Sequence, residues 1–397
     1  MKRWPLMVMA VVMAVTACTQ KLTTPADCPA LCPGGQSAFR DTILDAEIGL
    51  DSSYSGYTST LDAVGLLASN GGSYGESRFV VKFLRRGDSV LVKDTSRTFT
   101  IDSAVVQVTL QKRDPAVLDL VLEFYRLPRS VDTLSGFEVI DPLMIPANKL
   151  GEVSVPNSAA SGLLQLTLKG DDLAKLAFQP SDTTQLAIGV KIRSASPTGT
   201  RFGSLLSGAE SPLFATFVHA DIADTAVQRQ IINRNPALNL TVRPAEAPPG
   251  AGVLAVGGFP AARAFLRFTL PPYLRDSARI IRATLELSAA QPIFGIPADT
   301  AFLDARAVLS DFGPKSPVTS NAFGSVVLLP GMSVFQIEMV PVVQLWQGSA
   351  PLPSIVRLGL GSEGATFLKP LLNSTRAATG RPRLRLTYRL PFAFEGF

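Results

Sequence analysis

Short runs in which every second residue is apolar recur along most of this chain. In "RFVVKF", Phe79, Val81 and Phe83 share one face. In "FLRFTL", Leu266, Phe268 and Leu270 do so, with Arg267 and Thr269 on the other. "RATLEL" sets Ala283, Leu285 and Leu287 on one side, and "RLRLTY" alternates Leu384, Leu386 and Tyr388 with Arg383, Arg385 and Thr387. A period of two means a β-strand with one face buried and one wet, and antiparallel sheets packed in pairs are the usual home of such strands. Only "GDDLAKLAF" (170–178) and "VPVVQLWQ" (340–347) carry helical spacing, and both are short. The 31 glycines and 30 prolines supply the turns that an all-β chain needs.

The strands come in a repeated order. "ESRFVVKF" and "IDSAVVQVTL" prefigure "ARAFLRFTL" and "DSARIIRATLEL". "LLQLTLKGDDLAKLAFQPSDTTQLAIGVKI" (163–192) then parallels "VFQIEMVPVVQLWQGSAPLPSIVRLGLG" (334–361) as strand, helical turn, loop and strand. "SPLFATFVHA" takes the place of "RPRLRLTYRL" at the close. At 397 residues the chain exceeds one ordinary core. The expectation is all-β: two tandem antiparallel β-sandwich (jelly-roll) domains, 38–220 and 236–392. Residues 221–235 form a weakly helical connector and 393–397 a tail.

The amino end constrains location. Lys2 and Arg3 precede the apolar "PLMVMAVVMAV", which is shorter than the roughly 20 residues of a membrane span. It ends in "VTACTQ", which resembles the lipobox of bacterial lipoproteins. The resemblance implies a signal peptide over 1–17 and acylation of Cys18 with palmitate-class chains, a durable anchor because several chains share one residue. The absence of Asp after Cys18 implies the outer membrane by the same resemblance. Residues 18–37, rich in Thr, Pro and Gly, read as a flexible tether.

Charge excludes one class of partner. The formal +5 falls to +3 once Lys2 and Arg3 leave with the leader, and no dense basic run with interleaved aromatics follows, so nucleic acid is not expected. Cys28 and Cys32, in "DCPALCPGG", are candidates for a local disulfide in an exported chain, with free or intermolecular thiols as the alternative. The single histidine, His219, leaves too few ligands for a zinc site, and no calcium-loop spacing occurs. No cofactor is expected.

The same residues resemble the DNRLRE-domain family of exported proteins, which is related in fold to carbohydrate-binding-module-like jelly rolls. "RDTILDAEIGLDSSYSGYTSTLDAVG" (40–65) matches its Asp-led opening, and "RAFLRFTLPPYLRDSARIIRATLEL", "VVQLWQG" and "GRPRLRLTY" match its later segments in order. The first domain lacks the Trp that Trp346 supplies in the second. The second lacks the Asp-led opening at "NLTVRPAEAPPGAG". The resemblance implies a jelly-roll fold more firmly than a function.

Catalytic signals are sparse. His219 has no Gly-x-Ser-x-Gly elbow to serve, and no phosphate-cradling loop occurs. Asp41, Asp45, Glu47 and Asp51 crowd the opening strand and read as turn and loop residues; a glycosidase pair among them is the enzymatic alternative. Arg267, Arg383 and Trp346 read as strand-face cations and a core aromatic. Tyr54, Tyr57 and Tyr74, set among Ser, Gly and Asn, form the candidate ligand loop. The reading is a non-enzymatic, lipid-anchored envelope protein with structural, adhesive or glycan-binding roles, partnered by the membrane through Cys18 and by glycan or another envelope protein. The alternative is a polysaccharide-processing enzyme or its accessory binding subunit. Cys18→Ala is expected to move the protein from the membrane fraction to the soluble fraction; full retention after this change would remove the basis for the anchor.

Overall fold

The computed structural model describes residues 39–57, 64–69, 74–176, 185–220, 228–297, 299–348 and 352–390. The expected leader, tether and tail, and with them Cys18, Cys28 and Cys32, lie outside these residues. The described chain is all-β, with antiparallel pairing throughout and only short helices. No helix among the described residues is long and apolar enough to cross a membrane.

Four principal sheets stack as two sandwiches. In the first, a five-stranded sheet places strands in the order Pro236–Val242, Arg78–Phe83, Leu186–Arg193, Val121–Leu127 and Lys149–Ser154. It faces a six-stranded sheet centred on the 14-residue strand Thr100–Arg113, which pairs with Gly162–Lys169 on one side and with Leu213–Ala220 and Gly199–Gly203 on the other. Phe79, Val81 and Phe83 meet Val106, Val108 and Leu110 between them. Val80, on the opposite face, is buried as well, under Val131, Ile140 and Met144. The run "RFVVKF" is therefore covered on both sides.

The second sandwich repeats this order. Its five-stranded sheet runs Ser52–Tyr57, Ala261–Arg267, Ile355–Leu360, Ala301–Val308 and Val318–Leu328. Its four-stranded sheet runs Arg40–Asp45, Arg383–Arg389, Arg279–Ser288 and Val334–Glu338. Alternate residues meet between them: Ala264 and Leu266 from one sheet, Ala283, Leu285, Leu384 and Leu386 from the other. The helix Val340–Trp346 closes this core with Val342, Val343 and Trp346.

The sheets are not partitioned at the expected boundaries. The opening strands of the expected first domain belong to the second sandwich: Arg40–Asp45 pairs with Arg383–Arg389, and Ser52–Tyr57 with Ala261–Arg267. In return, residues 228–242 complete the first sandwich. Gln228–Arg234, expected as weakly helical connector, is a strand beside Leu213–Ala220, and Pro236–Val242 borders Arg78–Phe83. The two openings occupy equivalent positions in the two sheet orders, so they are exchanged within one chain. The opening that the second repeat lacks in sequence is supplied from about 200 residues upstream, as the 202-residue separation of the Ser53–Ala255 hydrogen bond records.

The four opening acids hold the exchanged segment in place. Asp51 accepts from the backbone N–H and hydroxyl of Thr375 at 2.9 and 2.7 Å. Glu47 accepts from Thr269 and Asp41 from Thr387, both at 2.6 Å, and Asp45 lies 3.7 Å from Arg383. A hydrogen bond to an ionised acceptor contributes about 1.5–3 kcal/mol, so the part-buried Thr375–Asp51 pair outweighs the exposed Asp45 contact.

The sandwiches meet at a mixed junction. Leu66, Ala68 and Tyr74 of the first pack on Phe259, Ile296 and Phe367 of the second. Beside them the buried Asp299 carboxylate faces Lys112 and Arg201 of the first sandwich at 3.3 and 3.4 Å and accepts from Thr366 at 2.7 Å. Gly199 is obligatory here, because a Cβ would stand 2.7 Å from the Tyr74 ring and 2.9 Å from Phe367. A fragment of residues 64–242 holds both halves of every first-sandwich pairing and is expected to fold alone. Residues 236–397 lack their edge strands and are expected to unfold or aggregate until a peptide of residues 39–57 is added, as circular dichroism would report; a stable 236–397 fragment would argue against the exchange.

Candidate functional site

The exchange brings two of the three candidate tyrosines onto the outer face of the second five-stranded sheet. Along Ala261–Arg267, Ala264 and Leu266 point to the core, which turns Arg263, Phe265 and Arg267 outward. Tyr54 lies opposite Arg263 in register and meets Phe265 edge-on, with ring centroids 5.8 Å apart. With Val308, Ile355 and Val318 these two rings form a small apolar cluster outside the main core.

Tyr57 is half-buried, as Tyr54 is. Its hydroxyl donates to the Pro314 carbonyl at 2.7 Å, which fastens the loop before Val318. The Arg263 guanidinium lies over its ring, 3.8 Å from the centroid. Arg263 also grips Glu363 with two parallel bonds, Nε to Oε1 at 2.8 Å and Nη2 to Oε2 at 2.6 Å. Two-point guanidinium–carboxylate geometry is both strong and directional, so the Arg263 side chain is held rigidly against the ring. Burial raises the Tyr57 phenol's proton affinity, opposed by the charge of Arg263. The Arg263 guanidinium is held charged by its bonds to Glu363, against the pull of burial.

The same face carries Arg357, Asp304, Arg306 and Phe323. Arg306 reaches Asp304 at 2.9 Å and lies over the Phe323 ring at 4.4 Å. Phe323 and Phe302 are exposed. The result is a sheet face on which guanidinium groups lie over aromatic rings, a pairing that can contact both apolar and polar parts of a partner. Sequence reasoning did not single out Glu363, Arg357, Arg306 or Asp304. The available signal was arginine at alternate positions of strands whose other positions are apolar.

Tyr74 does not belong to this surface. It is 7% exposed, at the junction between the sandwiches, where its ring meets Phe294 and Phe367 and its hydroxyl donates to Gly295 at 2.9 Å. Its Gly- and Ser-rich surroundings suggest a surface loop, whereas the ring is packed against Phe294 and Phe367. Tyr74 is removed from the candidate ligand residues.

The other singled-out residues have local partners. Arg267 donates to the Leu50 carbonyl at 2.6 Å and pairs with Asp311, joining the opening segment to the loop before Val318. His219 meets Asp102 on the neighbouring strand at 2.6 Å. Among the described residues no group of three or more His, Cys, Asp or Glu side chains is placed to hold a metal ion. A separate groove of about 910 Å³ runs past Phe268, Arg275, Asp276, Trp346 and Gln347. Trp346 is buried in the core, Arg275 pairs with Asp276, and Gln347 is spent on the Leu274 and Ala278 carbonyls.

Two phenols report the packing directly. Burial, aided by the nearby Asp114 and Asp299, pushes Tyr74 up to about 12, and burial with the Glu123 hydrogen bond does the same for Tyr125. The folded values exceed the ordinary 10.0, so the unfolded chain loses these protons first. Stability linked to them is complete below about pH 10 and declines as pH rises toward 12. Alkaline titration by tyrosinate absorbance is expected to show a late step that the Tyr74→Phe, Tyr125→Phe double variant lacks; a single early step in both proteins would contradict the placement.

In comparisons with known proteins, no family model matches the chain, and no curated protein matches it in sequence.

Proposed function

We propose that this chain is a lipid-anchored protein of the bacterial outer membrane that presents its two sandwiches without catalysis, using the Tyr57–Arg263 face for glycan contact. The anchor rests on "VTACTQ" and Cys18. The observation that carries the binding role is the rigid stack in which Tyr57, Arg263 and Glu363 are locked together on an open sheet face. Preorganised aromatic and guanidinium groups lower the entropic cost of holding a weakly structured polymer. The engagement of Asp41, Glu47 and Asp51 in holding the opening segment supports a structural role for those acids. The resemblance to DNRLRE-type jelly rolls fits the same reading.

The mature chain on a glycan array is expected to bind a subset of polysaccharides and to lose that binding in Tyr57→Ala while still unfolding cooperatively at a somewhat lower thermal midpoint. Absence of binding to every glycan would sink the glycan role, and release of new reducing ends from any bound polysaccharide would sink the non-enzymatic one.

A further inference from the structure

Cations gather at the end of the four-stranded sheet where the described chain begins. Arg40 opens the strand Arg40–Asp45 and stands opposite Tyr388. One residue on, Arg389 closes its strand directly opposite Arg279, the first residue of Arg279–Ser288. The register then slips between Ile280 and Arg282, so that Ile281 and Arg282 share the place opposite Thr387. A bulge of this kind breaks strict alternation, and both residues are exposed while Ile280 and Ala283 enter the core. Four arginines from three strands thus crowd one sheet end.

Little opposes their charge. Among the described residues Arg279, Arg282 and Arg389 have no side-chain hydrogen bond or ion pair. Asp41 stands opposite Thr387, but it accepts from the Thr387 hydroxyl at 2.6 Å. Arg275 and Asp276, in the short helix before Arg279, pair with each other. Further along the same face the signs balance, with Arg385 on Glu286 and Arg383 near Asp45. Like charges directly opposite across two strands destabilise a sheet, so the fold itself gains nothing from setting Arg279 against Arg389. Phe39, Tyr273 and Ile281 are exposed at this end, and the Tyr273 ring lies 5.8 Å from that of Tyr388.

The chain that precedes Phe39 enters the fold here. A coil as long as the expected tether, residues 18–37, reaches about 25 Å. An acylated Cys18 would therefore keep this end of the second sandwich within reach of the head groups. Arginines are attracted to an anionic leaflet, and the attraction fades within a Debye length, so it acts only on groups held against the surface. Tyrosine and isoleucine beside arginine suit the boundary between head groups and acyl chains.

We propose that the sheet end formed by Arg40, Arg279, Arg282 and Arg389, with Tyr273 and Ile281, docks on anionic phospholipid head groups, so that the second sandwich lies against the bilayer that holds its anchor. This rests on the lipid-anchor reading above for its geometry, whereas the preference for anionic lipid belongs to the folded chain without any acyl group.

The test is cosedimentation of the leaderless chain carrying Cys18→Ala with phosphatidylcholine vesicles and with vesicles that also contain phosphatidylglycerol, at low and high salt. Expected are binding to the phosphatidylglycerol vesicles alone, loss of that binding at high salt, and a drop of about 100-fold in the triple variant Arg279→Gln, Arg282→Gln, Arg389→Gln. That variant is expected to keep or raise the thermal midpoint, because it relieves a like-charge pair. The control Arg85→Gln, Arg97→Gln, Lys169→Gln removes the same charge from exposed positions of the first sandwich and is expected to bind as before. An equal drop in the control would reduce the effect to net charge, and a lowered midpoint in the first variant would make its arginines structural. Tighter binding of poly-glutamate than of the anionic vesicles would assign this end to an acidic protein. Each of these overturns the proposal. Equal binding to both vesicles, or to neither, overturns the docking and leaves the anchor intact. Cys18→Ala protein that stays with cell membranes through a high-salt wash, which strips docked chain but not acylated chain, overturns the anchor and the docking geometry together.

Discussion

Every β-strand carries two rows of backbone donors and acceptors, and a sheet ends safely only where the last row is paired or covered. That requirement organises this molecule. The arginine-bearing aromatic strands Arg78–Phe83 and Ala261–Arg267 each take a neighbour on one side from their own repeat. On the other side each takes a strand from the far end of the chain segment, Pro236–Val242 for the first and Ser52–Tyr57 for the second. The junction of Tyr74, Asp299 and Phe367 then packs bodies that the backbone has already bound together twice.

The face proposed for binding depends on that arrangement. Tyr57 is contributed by the opening segment, Arg263 by the strand it borders, and Glu363 by the loop after Ile355–Leu360. Were each repeat to keep its own opening, Tyr57 would lie beside the first sandwich and Arg263 would face a strand without an aromatic ring. The first sandwich uses the equivalent sheet face differently. There Val80, Ala187 and Tyr125 are buried beneath residues 131–144, so its outer surface is closed by chain where that of the second carries exposed aromatics and arginines.

Much of this was readable from residue order. Period-two alternation identified the strands and their inward faces, and the duplicated phrase anticipated the matching sheet orders. Alternation states which side of a strand is buried, however, and not which strand lies next to it. Hence residue order alone assigns the openings to the nearest repeat and reads Gln228–Arg234, with adjacent Ile231 and Ile232, as connector. Tyr74 reads as a loop aromatic because Gly and Ser around it signal a turn, and nothing in residue order states that its ring is buried. Arg279, Arg282 and Arg389, in "ARIIRATL" and "TYRL", look like any solvent-facing strand cations. Their gathering at one sheet end is a property of two strands at once, and only their register reveals it.

The exchanged openings also set an order of events for a chain that emerges amino end first. Residues 40–57 appear early, yet their partners at 261–267 and 383–389 appear last. For most of synthesis they are bare strands beside a first sandwich that itself stays open until residue 242 arrives. Contacts this distant in sequence slow folding, and unpaired edges invite association with other chains in the interval. Vectorial emergence therefore leaves the earliest segment waiting longest, and a holding factor bound to residues 40–57 would act at the step where this architecture is most exposed to error.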